Sequence, residues 1–221
     1  MTFATYKLTN NPSIPAEVTV DGHSTPVWIQ QNWTEGENSL YIRRNGCGHC
    51  CTSMVLNLRG IKINPYEEYM HCRKLWGVPN EDAIPPQDHF ITVSGITKVL
   101  ESFGIKSKCF GVLNGKETKA SQDIVSALEA GKLVILESHP SESFPDNPFS
   151  TGEHYVLAAG ICENGKILIA NSSGKAEPTG IQLVDMQTIA GALYPDTVPD
   201  ETMTWGVVEK LENGVGYVIV E

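Results

Sequence analysis

A cysteine between two glycines, at the start of an apolar helix, is the feature that most constrains what this chain can fold into. Gly46, Cys47 and Gly48 begin a run whose apolar spacing predicts a helix from about Cys47 to Arg59, ended by Gly60. A thiol on the first turn lies in the positive field of the helix N-terminus, which favours the thiolate. Such a thiol is a nucleophile once the fold brings a base beside it.

The rest of the chain predicts helices in the first half and antiparallel strands in the second, which is an α+β layout. Cap residues predict the helices, and short apolar runs between turn residues predict the strands. The predicted helices are one capped by Asn64 and ended by Gly77, then Val93–Phe103, Gln122–Ala130 capped by Ser121, and Met186–Leu193. The predicted strands are Leu133–Leu136, a hairpin of Tyr155–Ile161 and Ile167–Ala170, and a hairpin of Thr204–Glu209 and Gly216–Val220. Residues 1–24 predict an N-terminal strand or extension, and residues 25–221 the main domain.

A histidine at the start of one predicted strand is the best-placed base for this thiol. His154 precedes the first strand of the hairpin, and Asn171 follows the second strand. Because the hairpin brings the outer ends of its strands side by side, we expect these two residues to be neighbours. An Asn side chain can accept the imidazole N–H and fix its tautomer. The Cys47 N–H and the side-chain amide of Gln30 or Gln31 would then stabilise an oxyanion.

These motifs, in this order, resemble those of papain-like cysteine peptidases of the bacteriocin-processing, double-glycine type and their stand-alone relatives. The resemblance runs from about Pro26 to Ser172 and rests on several short motifs. They are Thr25-Pro26-Val27-Trp28-Ile29-Gln30, Gly46-Cys47-Gly48 with Met54, Glu153-His154-Tyr155-Val156 and Ile169-Ala170-Asn171-Ser172.

The resemblance implies a papain-like fold, in which a helical half with the catalytic cysteine at a helix start packs on a C-terminal antiparallel sheet. It implies that Cys47, His154 and Asn171 are the catalytic triad, and that Gln30 rather than Gln31 is the oxyanion donor. The implied activity is thiol-dependent cleavage, or acyl transfer, at a peptide or amide bond. The implied partner is a peptide or protein substrate, and no cofactor or metal ion is expected.

Departures from the family pattern keep two other functions open. His49, Cys50 and Cys51 replace the family's Pro-Thr-Ser, and Asn171 stands where the family often has Asp. One alternative is a non-catalytic papain-like module that binds peptides in the same cleft. The other is a metal-binding protein, because thiols and imidazoles are the ligands that zinc and copper prefer. The residues available for such a site are Cys47, His49, Cys50, Cys51, His71 and Cys72.

Charge and hydropathy exclude several other partners. The formal net charge is −10 and no basic run occurs, which argues against nucleic acid. No apolar run approaches the ~20 residues that a membrane-spanning helix needs. The first residues show no signal-peptide pattern, so we expect the six cysteines to be thiols in the reducing cytoplasm, unless a removed signal directed the protein to secretion.

A proline-rich segment, His139–Thr151, directly precedes His154. It has no apolar periodicity, which predicts a loop rather than a helix or strand. We expect this loop to lie over the site and to contribute to substrate choice.

Overall fold

The computed structural model describes residues 3–9, 11, 14–34, 39–78, 92–112, 117–138, 146–176, 178–193 and 216–221. Within these ranges the chain forms two antiparallel sheets and a set of helices. The strands are β1 (Thr5–Lys7), β2 (Glu17–Val20), β3 (His23–Pro26), β4 (Ser107–Gly111), β5 (Leu133–Ser138), β6 (His154–Ile161), β7 (Ile167–Ala170), β8 (Ile181–Val184) and β9 (Gly216–Val220). The helices are α1 (Ser39–Asn45), α2 (Cys47–Leu58), α3 (Pro65–Leu75), α4 (Val93–Ser102), α5 (Glu117–Glu129) and α6 (Met186–Ala192), with short 3-10 turns at Gln30–Asn32 and Gly174–Ala176.

The larger sheet has six strands in the order β4-β9-β5-β6-β7-β8, with every neighbouring pair antiparallel. The predicted hairpin of β6 and β7 is present, and Gly165 in its turn has a φ of +77°. Leu157 pairs with Ala170, so the residues at the outer ends of the two strands meet. The fold therefore brings His154 and Asn171 to the same end of this hairpin, as the sequence predicts.

Two apolar layers cover the two faces of this sheet. Helix α2 is buried along its whole length and packs on one face, together with the apolar residues of α4. Helices α5 and α6 pack on the opposite face. Burying apolar area on both faces accounts for the nearly continuous apolar sequence of β5 and β6. A helical first half packed on an antiparallel sheet confirms the α+β prediction.

The first three strands form a separate small sheet that packs against the same core. β2 lies between β1 and β3, and Val18 and Val20 of β2 are buried in the apolar core that also includes residues of α2. The Ala4 N–H also donates to the Ile161 carbonyl at the end of β6, with a length of 3.1 Å. The division between residues 1–24 and 25–221 stays a prediction.

Several element predictions need correction. Helix α1 and strand β4 were not predicted, because neither has a strong cap or an alternating pattern; α1 is held by the burial of Ile42 and β4 by pairing with β9. Helix α5 begins at Glu117, and Ser121 lies inside it rather than capping it. The strand Thr204–Glu209 lies outside the described residues, and β9 pairs with β4 and β5.

In the described parts of the chain, no helix has both the length and the apolar character needed to cross a membrane.

Candidate active site

Cys47 is the first residue of α2, directly after the end of α1. The Gly46 N–H donates to the Ile42 carbonyl of α1, and the Cys50 N–H donates to the Gly46 carbonyl, each at 2.8 Å. A Cβ atom at residue 46 would overlap the Ile42 carbonyl oxygen, so only glycine allows this junction between the helices. The junction fixes the Cys47 side chain at the helix N-terminus, where 7% of it is exposed.

The environment of the Cys47 sulfur does not favour the thiolate in the way the sequence predicts. Burial raises the pKa of Cys47 to about 11, and the carboxyl of Glu137 contributes in the same direction. The backbone N–H groups of Tyr155 and Gly48 act against this by lowering the pKa. The helix N-terminus is therefore present as a local field, but loss of solvent around the sulfur outweighs it. The interaction with the Tyr155 N–H also places the sulfur against the start of β6.

His154 begins β6 and is buried, with 3% of the residue exposed. Its Nε2 atom lies 2.8 Å from Oδ1 of Asn171. Burial lowers the pKa of His154 to about 4, while the hydrogen bond with Asn171 acts in the opposite direction. At neutral pH the ring is therefore a neutral imidazole whose Nε2–H donates to Asn171, which leaves Nδ1 as the acceptor.

Asn171 is fully buried and its amide orientation is fixed by its other partners. Its Nδ2 group donates to the Phe149 carbonyl at 3.0 Å and to Oε1 of Gln182 at 2.8 Å, so Oδ1 is the atom that faces His154. Oδ1 also accepts the Ser173 N–H at 2.8 Å. Phe149 and Gln182 were not predicted from the sequence; the only signal was one polar residue, Gln182, within the apolar strand β8.

The segment before His154 is only partly the surface loop that the sequence predicts. Residues 139–145 lie outside the described residues. In the part that follows, Asn147 and Phe149 are fully buried, and Phe149 belongs to the core layer beside α5. The Asn147 side chain donates to Ser138 at 2.8 Å. This end of the segment is therefore a structural support for Asn171.

Gln30 approaches the site from the 3-10 turn that follows β3, and it is 5% exposed. Its N–H donates to the Ser172 carbonyl at 2.9 Å, and Oε1 of its side chain accepts from the Ser172 hydroxyl at 3.3 Å. Because Oε1 already accepts a hydrogen bond, the Nε2 amide group, which carries the N–H donors, is the end of the side chain available to a ligand. Ser172, which the sequence did not single out, thus orients Gln30. The side chain of Gln31 is not among those described.

The structure brings Cys47, His154 and Asn171 into one region, but hydrogen bonds do not join all three side chains. Among the described residues, no hydrogen bond joins the Cys47 thiol to the His154 ring. Catalytic hydrogen bonds are often long or poorly aligned in unliganded sites and tighten when substrate binds. The arrangement provides a thiol that interacts with the backbone N–H groups of Tyr155 and Gly48, and an imidazole oriented by Asn171.

A buried carboxyl lies beside the thiol and was not predicted. Glu137 of β5 pairs with Tyr155 of β6 and is 1% exposed. Burial, with Glu153 second, raises its pKa well above the usual range. Within the described parts of the chain, Oε1 of Glu137 and the Tyr155 hydroxyl have no hydrogen-bond partner. Glu137 therefore adds a buried acidic neighbour to the site.

A second buried cluster lies on the other side of α2. Oε2 of Glu68 contacts Nδ1 of His49, and Oε1 accepts from the Cys72 thiol at 3.2 Å. One ligand atom from each of these three residues lies within 4.8 Å of the others. His71, which the sequence analysis grouped with these residues, instead forms a hydrogen bond between its Nε2 atom and the Ser102 hydroxyl, at 2.8 Å. The nitrogen, oxygen and sulfur donors of this cluster are suited to a zinc ion.

Comparison with protein families identifies the family to which the chain belongs. The family model described as the Peptidase_C39 like family matches residues 25–197. The chain belongs to this family. The match includes all four predicted site residues and confirms the resemblance seen in the sequence. The protein is accordingly of the cysteine peptidase type, with a papain-like α+β fold.

Three solved structures show a weak likeness to the chain. The peptidase domain of Streptococcus ComA is 11% identical, with a TM-score of 0.42 over 80% of this chain and 91% of that chain. A protein described as a C39-like peptidase from Bacillus anthracis is 10% identical, with a TM-score of 0.47 over 80% of this chain and 89% of that chain. UfSP from C. elegans is 13% identical, with a TM-score of 0.42 over 98% of this chain and 36% of that chain. No curated protein sequence matches the chain. Because these structural likenesses are weak, the assignment rests on the family match.

Proposed function

We propose that this C39-like protein hydrolyses a peptide or amide bond with Cys47 as nucleophile, His154 as base, Asn171 as the residue that orients His154, and Gln30 as oxyanion donor. The observation that carries the proposal is the 2.8 Å hydrogen bond between His154 Nε2 and Asn171 Oδ1. This bond determines the ring orientation and tautomer, and it leaves Nδ1 as the proton acceptor.

The proposed reaction starts from a neutral thiol and a neutral imidazole. The pKa of Cys47 is raised to about 11 and that of His154 is lowered to about 4, so neither group is charged at neutral pH. His154 Nδ1 takes the thiol proton as the sulfur attacks the substrate carbonyl, which is general-base activation rather than a pre-formed ion pair. This differs from the activated thiolate that the helix N-terminus alone predicts.

The later steps use the same residues. The Cys47 backbone N–H and the Gln30 Nε2 amide N–H stabilise the oxygen that becomes negative in the tetrahedral intermediate. The imidazolium then gives its proton to the leaving amine, and the carbonyl carbon stays bound to sulfur as a thioester. Water, deprotonated by His154, cleaves the thioester and restores the thiol. An amine in place of water would give acyl transfer.

The substrate we propose is a neutral or basic peptide. The net charge of the chain is −10, so an acidic peptide would be repelled as it approaches. The described residues provide no charged side chain that we assign to a specificity pocket.

A thiol-directed electrophile tests the assignment of the nucleophile. We expect iodoacetamide to modify Cys47 in the folded protein, because Cys47 is 7% exposed whereas Cys50 and Cys51 are fully buried. In Cys47→Ala, labelling of the tryptic peptide between Arg44 and Arg59 should be lost, and in Cys51→Ala, a matched change on the same helix, it should remain. Cys109 and Cys162 are also partly accessible and lie on other peptides, so their labelling is read separately. Undiminished labelling of the Arg44–Arg59 peptide in Cys47→Ala would remove the mechanism.

A structural metal site is a second candidate, favoured by the convergence of His49, Glu68 and Cys72. Its ligands differ from the set that the sequence left open as an alternative, and the site is compatible with peptidase activity. Zinc bound in a 1:1 ratio after purification, and lost in Cys72→Ala but not in Cys51→Ala, would support it. A metal-free purified protein would remove it.

We also propose that residues 25–221 form the peptidase domain, with residues 1–24 as an extension. The family match begins at residue 25. Because Val18 and Val20 are buried in the main apolar core, removal of residues 1–24 should lower Tm. Retained labelling of Cys47 in the shortened protein would support the division, and failure to fold would contradict it.

A further inference from the structure

Cys47 and Cys50 are separated by two residues on the first turn of α2, in a Cys-Gly-His-Cys sequence. The helical rise and radius place the Cα atoms of residues three apart about 5 Å from each other. Disulfides join Cα atoms about 4.4–6.8 Å apart, so this pair can be bridged with little movement of the backbone. The same spacing at a helix start is used by thiol–disulfide oxidoreductases.

The two thiols differ in exposure in the way that a reacting and a resolving cysteine do. Cys47 is 7% exposed, whereas Cys50 is fully buried. Of these two thiols, Cys47 is therefore the one that an oxidant from solvent reaches first. All six cysteines are free in the structure.

A second buried thiol, Cys51, also lies near Cys47, but its surroundings are different. Cys51 belongs to the apolar core layer of α2, with Met54. Cys50 is not part of an apolar cluster among the described residues, and its sulfur interacts with the Ser172 hydroxyl. Along the helix axis Cys50 is also nearer to Cys47, about 4.5 Å against about 6 Å for Cys51. Cys50 is therefore the better partner for Cys47.

We propose that Cys47 and Cys50 form a reversible disulfide when the protein meets a hydroperoxide, and that this bond switches off the nucleophile. The switch-off rests on the proposed function, because it matters only if Cys47 is the nucleophile. The disulfide itself does not depend on peptidase activity.

The reaction proceeds in two balanced steps. The Cys47 sulfur attacks one peroxide oxygen, which forms an S–O bond, breaks the O–O bond and gives a sulfenic acid; the thiol proton leaves with the other oxygen as an alcohol or water. The Cys50 sulfur then attacks the Cys47 sulfur, which forms the S–S bond and breaks the S–O bond, and water leaves with the Cys50 proton. The two thiols lose two electrons and the hydroperoxide gains them. An added dithiol reverses the change by disulfide exchange.

Peptide mapping after oxidation tests the proposal without a substrate. Wild-type protein is treated with hydrogen peroxide, unfolded in urea with iodoacetamide, reduced with dithiothreitol and labelled with N-ethylmaleimide. Trypsin cleaves after Arg44 and Arg59, so one peptide contains Cys47, Cys50 and Cys51. We expect N-ethylmaleimide on Cys47 and Cys50 and iodoacetamide on Cys51. A Cys47–Cys51 bond, or Cys47 converted to sulfinic acid while Cys50 stays a thiol, would overturn the proposal.

Two matched variants separate the roles of the buried thiols. Cys51→Ser should behave as wild type, whereas Cys50→Ser should lose the reversible step, so that peroxide converts Cys47 to acids that dithiothreitol does not reduce. Thermal melting shows whether each variant is folded. If a variant does not fold, the peptide map of the wild-type protein still tests the proposal. A peroxide-induced Cys47–Cys50 bond in a protein that cleaves no peptide would leave the disulfide established and overturn the proposed function. Peptide cleavage by a protein in which peroxide forms no Cys47–Cys50 bond would support the proposed function and overturn the disulfide.

Discussion

His154 Nε2 lies 2.8 Å from Asn171 Oδ1, and the Asn171 amide is held in turn by Phe149 and Gln182. Two residues at the ends of adjacent strands thus form a buried pair whose orientation is fixed from both sides. A base held in one tautomer needs no reorganisation when it accepts the thiol proton. This is the reason to expect that Asn171 acts through His154.

Replacing Asn171 should change both rate and pH dependence. We expect Asn171→Ala to lower kcat on the order of tenfold or more, because His154 loses its orienting partner. Asn171→Asp should keep more activity and raise the pKa of His154, since a carboxylate stabilises the imidazolium. The measurement is the pH profile of kcat/KM, whose acid limb should move to higher pH in Asn171→Asp. An unchanged profile in both variants would mean that Asn171 has no role in positioning His154.

Ser172 should affect the oxyanion donor and leave the nucleophile accessible. Ser172→Ala removes the hydroxyl that donates a hydrogen bond to Oε1 of Gln30, so the Nε2 amide N–H loses its fixed direction. We expect kcat to fall severalfold with KM nearly unchanged, as for an interaction made mainly in the transition state. Ser172→Thr, which retains a hydroxyl, is the matched control. A change confined to KM would argue against this role.

Alkylation of Cys47 in the free protein should show a raised thiol pKa. Burial holds the pKa of Cys47 at about 11, so the iodoacetamide rate should still be rising with pH above the ordinary thiol value of ~8.5. Glu137→Gln should move the midpoint to lower pH, because an acidic neighbour that opposes the thiolate is removed. A midpoint well below ~8.5 in the wild type would indicate a pre-formed thiolate instead.

His154 should make the folded protein less stable in acid. Its pKa is lowered from 6.5 to about 4 in the folded state, so the unfolded chain binds a proton that the native ring does not. Stability is therefore expected to fall as pH decreases from about 6.5 to about 4, by at most roughly 3 kcal/mol from this group. Urea unfolding across this range measures the slope, and His154→Gln should reduce it. Equal slopes in the two proteins would show that His154 is not buried in its neutral form.

The sequence predicted those site residues that have a recognisable pattern in the residues next to them in the chain. Cys47 between glycines, His154 at a strand start and Asn171 after an Asn-Gly hairpin each have a short-range signal, and the fold brings the last two together as predicted. The supports of these residues come from distant segments: Phe149, Gln182 and Ser172 act through contacts that no local pattern encodes. The protonation of Cys47 was mispredicted for the same reason, because burial by the rest of the chain outweighs the local field of the helix.

The central claim is that Cys47 cleaves a peptide bond, and peptide-library profiling tests it most directly. The wild type, Cys47→Ala and the matched variant Cys51→Ala are incubated under reducing conditions with a library that includes neutral, basic and acidic peptides, and new N-termini are identified by mass spectrometry. We predict cleavage by the wild type and Cys51→Ala, and none by Cys47→Ala. Cleavage that persists in Cys47→Ala, or a folded wild type that cleaves no member of the library, would contradict the account.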